Sequence, residues 1–137
     1  MVVFKLQGAG PFPAVLFNHG STGNGDIPAM FKETWTSTLI AHFFNERGWL
    51  VAFPQRRGRG KSDGLYDEGF NANRSAYTCH ADVSLAGVDR ALSDIEAASA
   101  ALRTRTDVKA DQLLIAGVSR GGILSIAAAG TQPEHYV

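Results

Sequence analysis

Two short apolar runs rich in β-branched and aromatic residues, Val2 to Leu6 and Ala14 to Asn18, open the chain. Gly8, Gly10, Pro11 and Pro13 separate them, which predicts two strands joined by a turn. From Met30 the period changes. Phe31, Trp35, Leu39 and Phe43 recur at a helical spacing until Gly48, predicting one helix that starts at Asp26 or Pro28 and presents a single apolar stripe. Trp49 to Phe53, ended by Pro54, is a buried-type strand. Gln55 to His80 is a long stretch of Gly, Asn, Asp, Arg and Ser without periodicity, a length that points to a functional loop.

A second helix opens at Asp82, with Leu85, Val88, Leu92, Ile95 and Leu102 in helical register and Arg103 and Arg105 at the negative end of its dipole. Gln112 to Gly117 returns to strand. A last helix of small residues runs from about Arg120 to Ala129 and stops at Gly130, with Pro133 just beyond. Helices that alternate with continuous apolar strands predict parallel strands covered on both faces. This is the α/β class, a three-layer, doubly wound and mostly parallel sheet. Without a linker, repeat or low-complexity tract, residues 1–137 read as a single domain.

Composition narrows the function. The 137 residues carry 13 Lys+Arg against 13 Asp+Glu and are 45% hydrophobic, enough for a core and with no net charge to draw the protein to nucleic acid or an anionic membrane. Apolar runs such as Leu113 to Val118 are too short to span a bilayer. Cys79 is the only cysteine, so no internal disulfide forms. With no recognisable leader, a cytoplasmic setting is expected.

The chemistry concentrates at Gly117-Val118-Ser119-Arg120-Gly121. This is a Gly-x-Ser-x-Gly sequence placed directly after a predicted strand and before a predicted helix. A serine on so sharp a turn needs glycine two residues to either side, and its hydroxyl then stands clear of the sheet. The helix amides behind it face the place where a tetrahedral oxyanion would carry its charge. Ser119 reads equally as an ordinary N-cap of that helix. Two further segments bear on the choice. Asn18-His19-Gly20-Ser21-Thr22 follows a strand, and Arg56-Arg57-Gly58-Arg59-Gly60-Lys61-Ser62 follows the next.

Together, His19-Gly20, Arg57 to Ser62 and Gly117 to Gly121 resemble the dienelactone hydrolase-like branch of the α/β-hydrolase fold, including its acyl-peptidase relatives, over essentially the whole chain. The resemblance implies Ser119 as nucleophile. It implies the N–H groups of Ser21, or its neighbour Thr22, and of Arg120 as oxyanion donors, with His19, Gly20, Arg57, Gly117 and Gly121 supporting the motifs. Dienelactone hydrolases carry cysteine at the elbow. Ser119 instead implies a serine esterase acting on a small-molecule ester, without cofactor. His19 is expected to be structural, not the base.

Other readings of these residues are weaker. Gly60-Lys61-Ser62 lacks the preceding glycine of a phosphate-binding P-loop, no dinucleotide fingerprint occurs, and His19, His42, His80 and His135 show no metal-ligand spacing.

In the resembled family the acid and the histidine of the triad follow the serine. After Ser119 only Glu134 and His135 are available, adjacent to one another. Base and acid therefore stay unassigned, and the chain is expected to be an N-terminal half, short of on the order of 90 residues of strand–helix units. The strand before Ser119 would then have an open edge, to be covered by self-association through that edge or the Ile123-Leu124 helix, or by another polypeptide. The alternative to an esterase is an incomplete fragment that serves as an oligomerising or binding module.

Overall fold

The computed structural model describes residues Met1–Val137. Four strands form one sheet: β1 (Val2–Phe4), β2 (Phe12–Asn18), β3 (Leu50–Phe53) and β4 (Val108–Gly117), in the spatial order β1-β3-β2-β4. β2 runs parallel to β3 on one side and to β4 on the other, while β1 lies antiparallel to β3. The first two strands are therefore not a pair, because β3 is inserted between them. The helices are α1 (Pro28–Lys32), α2 (Thr38–Asn45), α3 (Ala81–Arg103) and α4 (Arg120–Thr131), followed by a short 3-10 turn, Pro133–His135.

Alternation along the central strand explains the layers. Ala14 and Leu16 face one side and pack with Ala91, Ile95 and Leu102 of α3 and Leu124 and Ala128 of α4. Val15 faces the other side and packs with Val51, Phe53 and Ala41 of α2. Each face has its own helices, so the sheet is a three-layer core.

The single helix expected from Met30 to Gly48 is two helices with a break at Glu33–Ser37. At the break the Gln55 side chain replaces the helical ladder. Its Oε1 accepts from Trp35 N at 2.8 Å and its Nε2 donates to Trp35 O at 2.8 Å. Ser37 then caps α2 by accepting from the Ile40 amide. Trp35 leaves the helix and packs its ring on Phe17 and Phe53, Phe31 packs on Tyr66 and Phe70, and Leu39 and Phe43 face outward, Leu39 83% exposed. On α3, Leu85 is likewise exposed, and the buried seam is Gly87, Ala91, Ile95, Ser99 and Leu102.

β4 pairs on one side only. Beside its free edge lies a shallow groove lined by Ile115, Ala116, Gly117, Gly122, Ser125 and Ile126, flanked by exposed Ile123 and Ile126 of α4. Leu124, expected with Ile123 on this surface, is fully buried. No helix is long and apolar enough to cross a membrane.

Candidate active site

β4 ends at Gly117 and α4 begins at Arg120, so the reversal between them falls on Val118 and Ser119. Ser119 has φ 53° and ψ −127°, and only one other non-glycine residue, Arg74, has positive φ. Such a conformation strains an L-residue by roughly 1–3 kcal/mol. It persists because the surroundings demand it. A Cβ on Gly121 would collide with the Asn18 and His19 carbonyls, and one on Gly117 would collide with the Gly121 carbonyl group. Helix start, strand end and the loop after β2 are in backbone contact at the two motif glycines. Ser119 stands at the N-cap position of α4, but its side chain makes no capping hydrogen bond and the residue is exposed.

His19 and Gly20, at the end of β2, lie beside the elbow. Val118 N donates to Asn18 O at 3.1 Å. The Asn18 side chain donates to Ser125 Oγ at 3.0 Å, and Ser125 Oγ donates to Gly121 O at 2.7 Å. No loop or cap hydrogen bond uses the Ser21 or Arg120 N–H. Thr22, the alternative donor, is engaged already, its amide donating to the Tyr77 hydroxyl at 3.2 Å.

His19 is 1% exposed. Its Nδ1 lies 2.8 Å from Gly20 O, an acceptor, so Nδ1 carries the proton and donates. Burial, reinforced by the Arg56 charge, lowers its pKa to about 3. The ring is a neutral structural element, as the sequence suggests.

The basic segment does not behave as an open cationic patch. Arg56 is 1% exposed; it ion-pairs with buried Glu68 and donates to His19 O at 2.9 Å and Gly20 O at 3.2 Å. Burial opposes its charge, but Glu68 outweighs that and raises its pKa. Arg57, the residue the family motif singled out, turns away to α3, where its Nε donates to Asp94 at 2.7 Å. Arg56 therefore supports the loop after β2 and Arg57 anchors α3. Arg59 donates to Glu33 O at 2.8 Å. The Gly58 and Gly60 amides are bound to Asp63 O and Phe31 O and so are not free to hold a phosphate.

Glu68 went unnoticed in the sequence because nothing in a long aperiodic loop marks one carboxylate as buried. It is 3% exposed and takes Arg120 as a second partner, Nε to Oε2 at 3.1 Å. The Arg120 guanidinium also donates to the Glu68 carbonyl at 2.6 Å and lies 5.6 Å from the Tyr77 ring centroid.

No histidine or carboxylate hydrogen-bonds to Ser119. His42 is paired with Glu46 at 3.4 Å, His135 with Gln132 at 2.7 Å and Glu134 at 3.6 Å, and His80 precedes α3 as its exposed first cap. No three His, Cys, Asp or Glu side chains converge as a metal-ligand set.

No protein-family model matches the chain, and no curated protein does. Solved structures do. The chain superposes on a prolyl endopeptidase with a TM-score of 0.53 and 21% identity over 93% of its length. On a protein assigned as an acetyl xylan esterase from Bacteroides fragilis, the TM-score is 0.53 with 18% identity over 94%. Both are of α/β-hydrolase type. The chain has an α/β-hydrolase fold. It spans 16% of the endopeptidase and 36% of the esterase. In this fold the strained turn at Ser119 joins the end of β4 to the start of α4, and His19-Gly20 follows the end of β2.

Proposed function

We propose that this chain carries the nucleophile and oxyanion hole of a serine hydrolase acting on small carboxylic esters. The carrying observation is Ser119 itself, an exposed residue held at φ 53° against Gly20, with the Ser21 and Arg120 amides of the flanking segments unused. Ser119 Oγ attacks the ester carbonyl carbon and gives its proton to a base. The carbonyl oxygen, now anionic, is received by the Ser21 and Arg120 N–H groups. Collapse expels the alcohol, which takes up that proton, and water then hydrolyses the acyl-serine by the same steps. The base comes from outside the contacts described above, since no histidine hydrogen-bonds the Ser119 hydroxyl. A protein segment docked along the free edge of β4 would stand next to the elbow and is the proposed source. A cytoplasmic setting belongs to the same proposal and rests on the lone, exposed Cys79.

Hydrolysis of p-nitrophenyl acetate with active-site titration tests this reading. Turnover that falls by about 100-fold or more in Ser119→Ala supports it. Hydrolysis indifferent to that substitution overturns it.

One observation favours a second reading, a module that associates through its edge. The open β4 edge lies beside Ile123 and Ile126, 68% and 76% exposed, and a two-fold related second copy would present the same apolar surface in return. Light scattering at tens of micromolar is expected to show a dimer that Ile123→Lys and Ile126→Lys dissociate. A monodisperse monomer in the parent chain rejects this arrangement.

A further inference from the structure

We propose that Glu68 is a positioning residue that sets both oxyanion donors at once, by holding Arg56 and Arg120 on a single buried carboxylate. Its catalytic meaning rests on the serine hydrolase reading. Its geometry stands apart from it.

Glu68 accepts hydrogen bonds from Arg56, Nε on Oε1 and a terminal nitrogen on Oε2 at 3.3 Å, and ion-pairs with Arg120, whose Nε lies 3.1 Å from Oε2 without a hydrogen bond. The carboxylate therefore fixes the plane of the Arg56 guanidinium and holds the Arg120 charge beside it, while the Glu68 carbonyl takes the Arg120 hydrogen bond. α3 presses on its backbone at Gly87, where a Cβ would collide with the Glu68 carbonyl group.

The Arg56 hydrogens that remain point at two successive carbonyls, His19 O at 2.9 Å and Gly20 O at 3.2 Å. In a trans peptide the C=O and the following N–H are antiparallel, and the Gly20–Ser21 peptide is trans. Turning Gly20 O toward Arg56 therefore turns the Ser21 N–H away from it, to the side where it meets no partner in the protein. A flipped plane would present a carbonyl in place of the donor and abolish the hole. On the other side, Arg120 is the residue whose own N–H is the second donor, and its side chain is tied to the same carboxylate and to the Glu68 carbonyl at 2.6 Å. One side chain thus couples residues at the ends of β2 and β4.

Glu68→Gln keeps the shape and removes the charge. If the full chain hydrolyses the ester, this substitution lowers kcat about tenfold or more and leaves KM within about twofold, because only the developing oxyanion feels the change. Backbone NMR supplies a readout that needs no activity. The Gly20 carbonyl carbon and Ser21 amide signals move in Glu68→Gln, while those of Ile95 and Leu113 in the core stay in place. A folded Glu68→Gln protein whose Gly20 and Ser21 signals are unchanged overturns the proposal, as does an equal change in kcat and KM. Should Glu68→Gln not fold, Arg120→Gln removes one arm at a side chain 21% exposed. Movement of the Gly20 and Ser21 signals in that variant supports coupling through Glu68, and changes confined to residues 118–122 overturn it. An inactive parent chain defeats the hydrolase reading alone, and the NMR comparison still decides the role of Glu68.

Discussion

Gly20 lies directly against Ser119: a Cβ placed on Gly20 would stand 3.2 Å from the Ser119 Cβ and 3.7 Å from its Oγ. The first distance is tighter than ordinary packing, and the Val118 carbonyl at 3.3 Å closes the other side. Gly20→Ala is therefore expected to displace the serine by a few tenths of an ångström. On the proposed serine hydrolase function, ester hydrolysis is expected to fall about tenfold through misplacement of the Ser119 hydroxyl, with a stability loss of only about 1 kcal/mol by urea titration. Unchanged turnover would show that this contact does not position Ser119.

Strain at the elbow has a measurable sign. Ser119 sits at φ 53°, where glycine is comfortable and any side chain is not. Ser119→Gly should raise the unfolding free energy by about 1 kcal/mol over Ser119→Ala, part of the relieved strain being offset by the freer unfolded chain. Both variants lack the Ser119 hydroxyl, so activity does not distinguish them. Denaturant midpoints do, and equal midpoints would contradict a strained elbow.

His19 makes stability depend on pH. Its pKa is about 3 in the folded protein and about 6.5 when unfolded. Between those values the unfolded chain binds a proton that the folded chain refuses, so the native state loses stability as pH falls below about 6.5. The slope is about 1.4 kcal/mol per pH unit, or roughly 3 kcal/mol by pH 4 as an upper bound. Unfolding of the parent chain and of His19→Gln, followed from pH 7 to pH 4, should show a shallower loss in the variant. Parallel curves would mean that His19 titrates normally.

The buried pair Asn18–Ser125 ties strand to helix at 3.0 Å, and Ser125 passes the bond on to Gly121 O at 2.7 Å. Asn18→Ala should cost about 1–3 kcal/mol. In a double-mutant cycle with Ser125→Ala, the combined loss should be smaller than the sum by about 1 kcal/mol, since the two side chains share one network. Additive losses would place the cost elsewhere.

The elbow was legible because its constraints are local. A strand, a serine between spaced glycines and a helix start are contiguous, and the glycines are required by backbone contacts that only this turn creates. The alternation Ala14-Val15-Leu16-Phe17 and the seam Ala91, Ile95 and Leu102 likewise follow from strand and helix periods. Periodicity failed from Met30 to Gly48, where apolar spacing suited one helix but the Gln55 side chain, reaching in from the far end of β3, took the Trp35 backbone bonds and broke it.

What only the tertiary structure decided is which member of a polar loop faces inward. Arg56 and Arg57 are neighbours in a segment without a period, so no spacing says that one is buried on Glu68 while the other reaches Asp94. The choice depends on where β2 leaves two carbonyls, His19 and Gly20, in need of donors, and on α3 bringing Glu68 close through the bare backbone of Gly87. A strand and an elbow are written in consecutive residues. A buried charge is placed by groups far apart in the chain that need each other once water has gone.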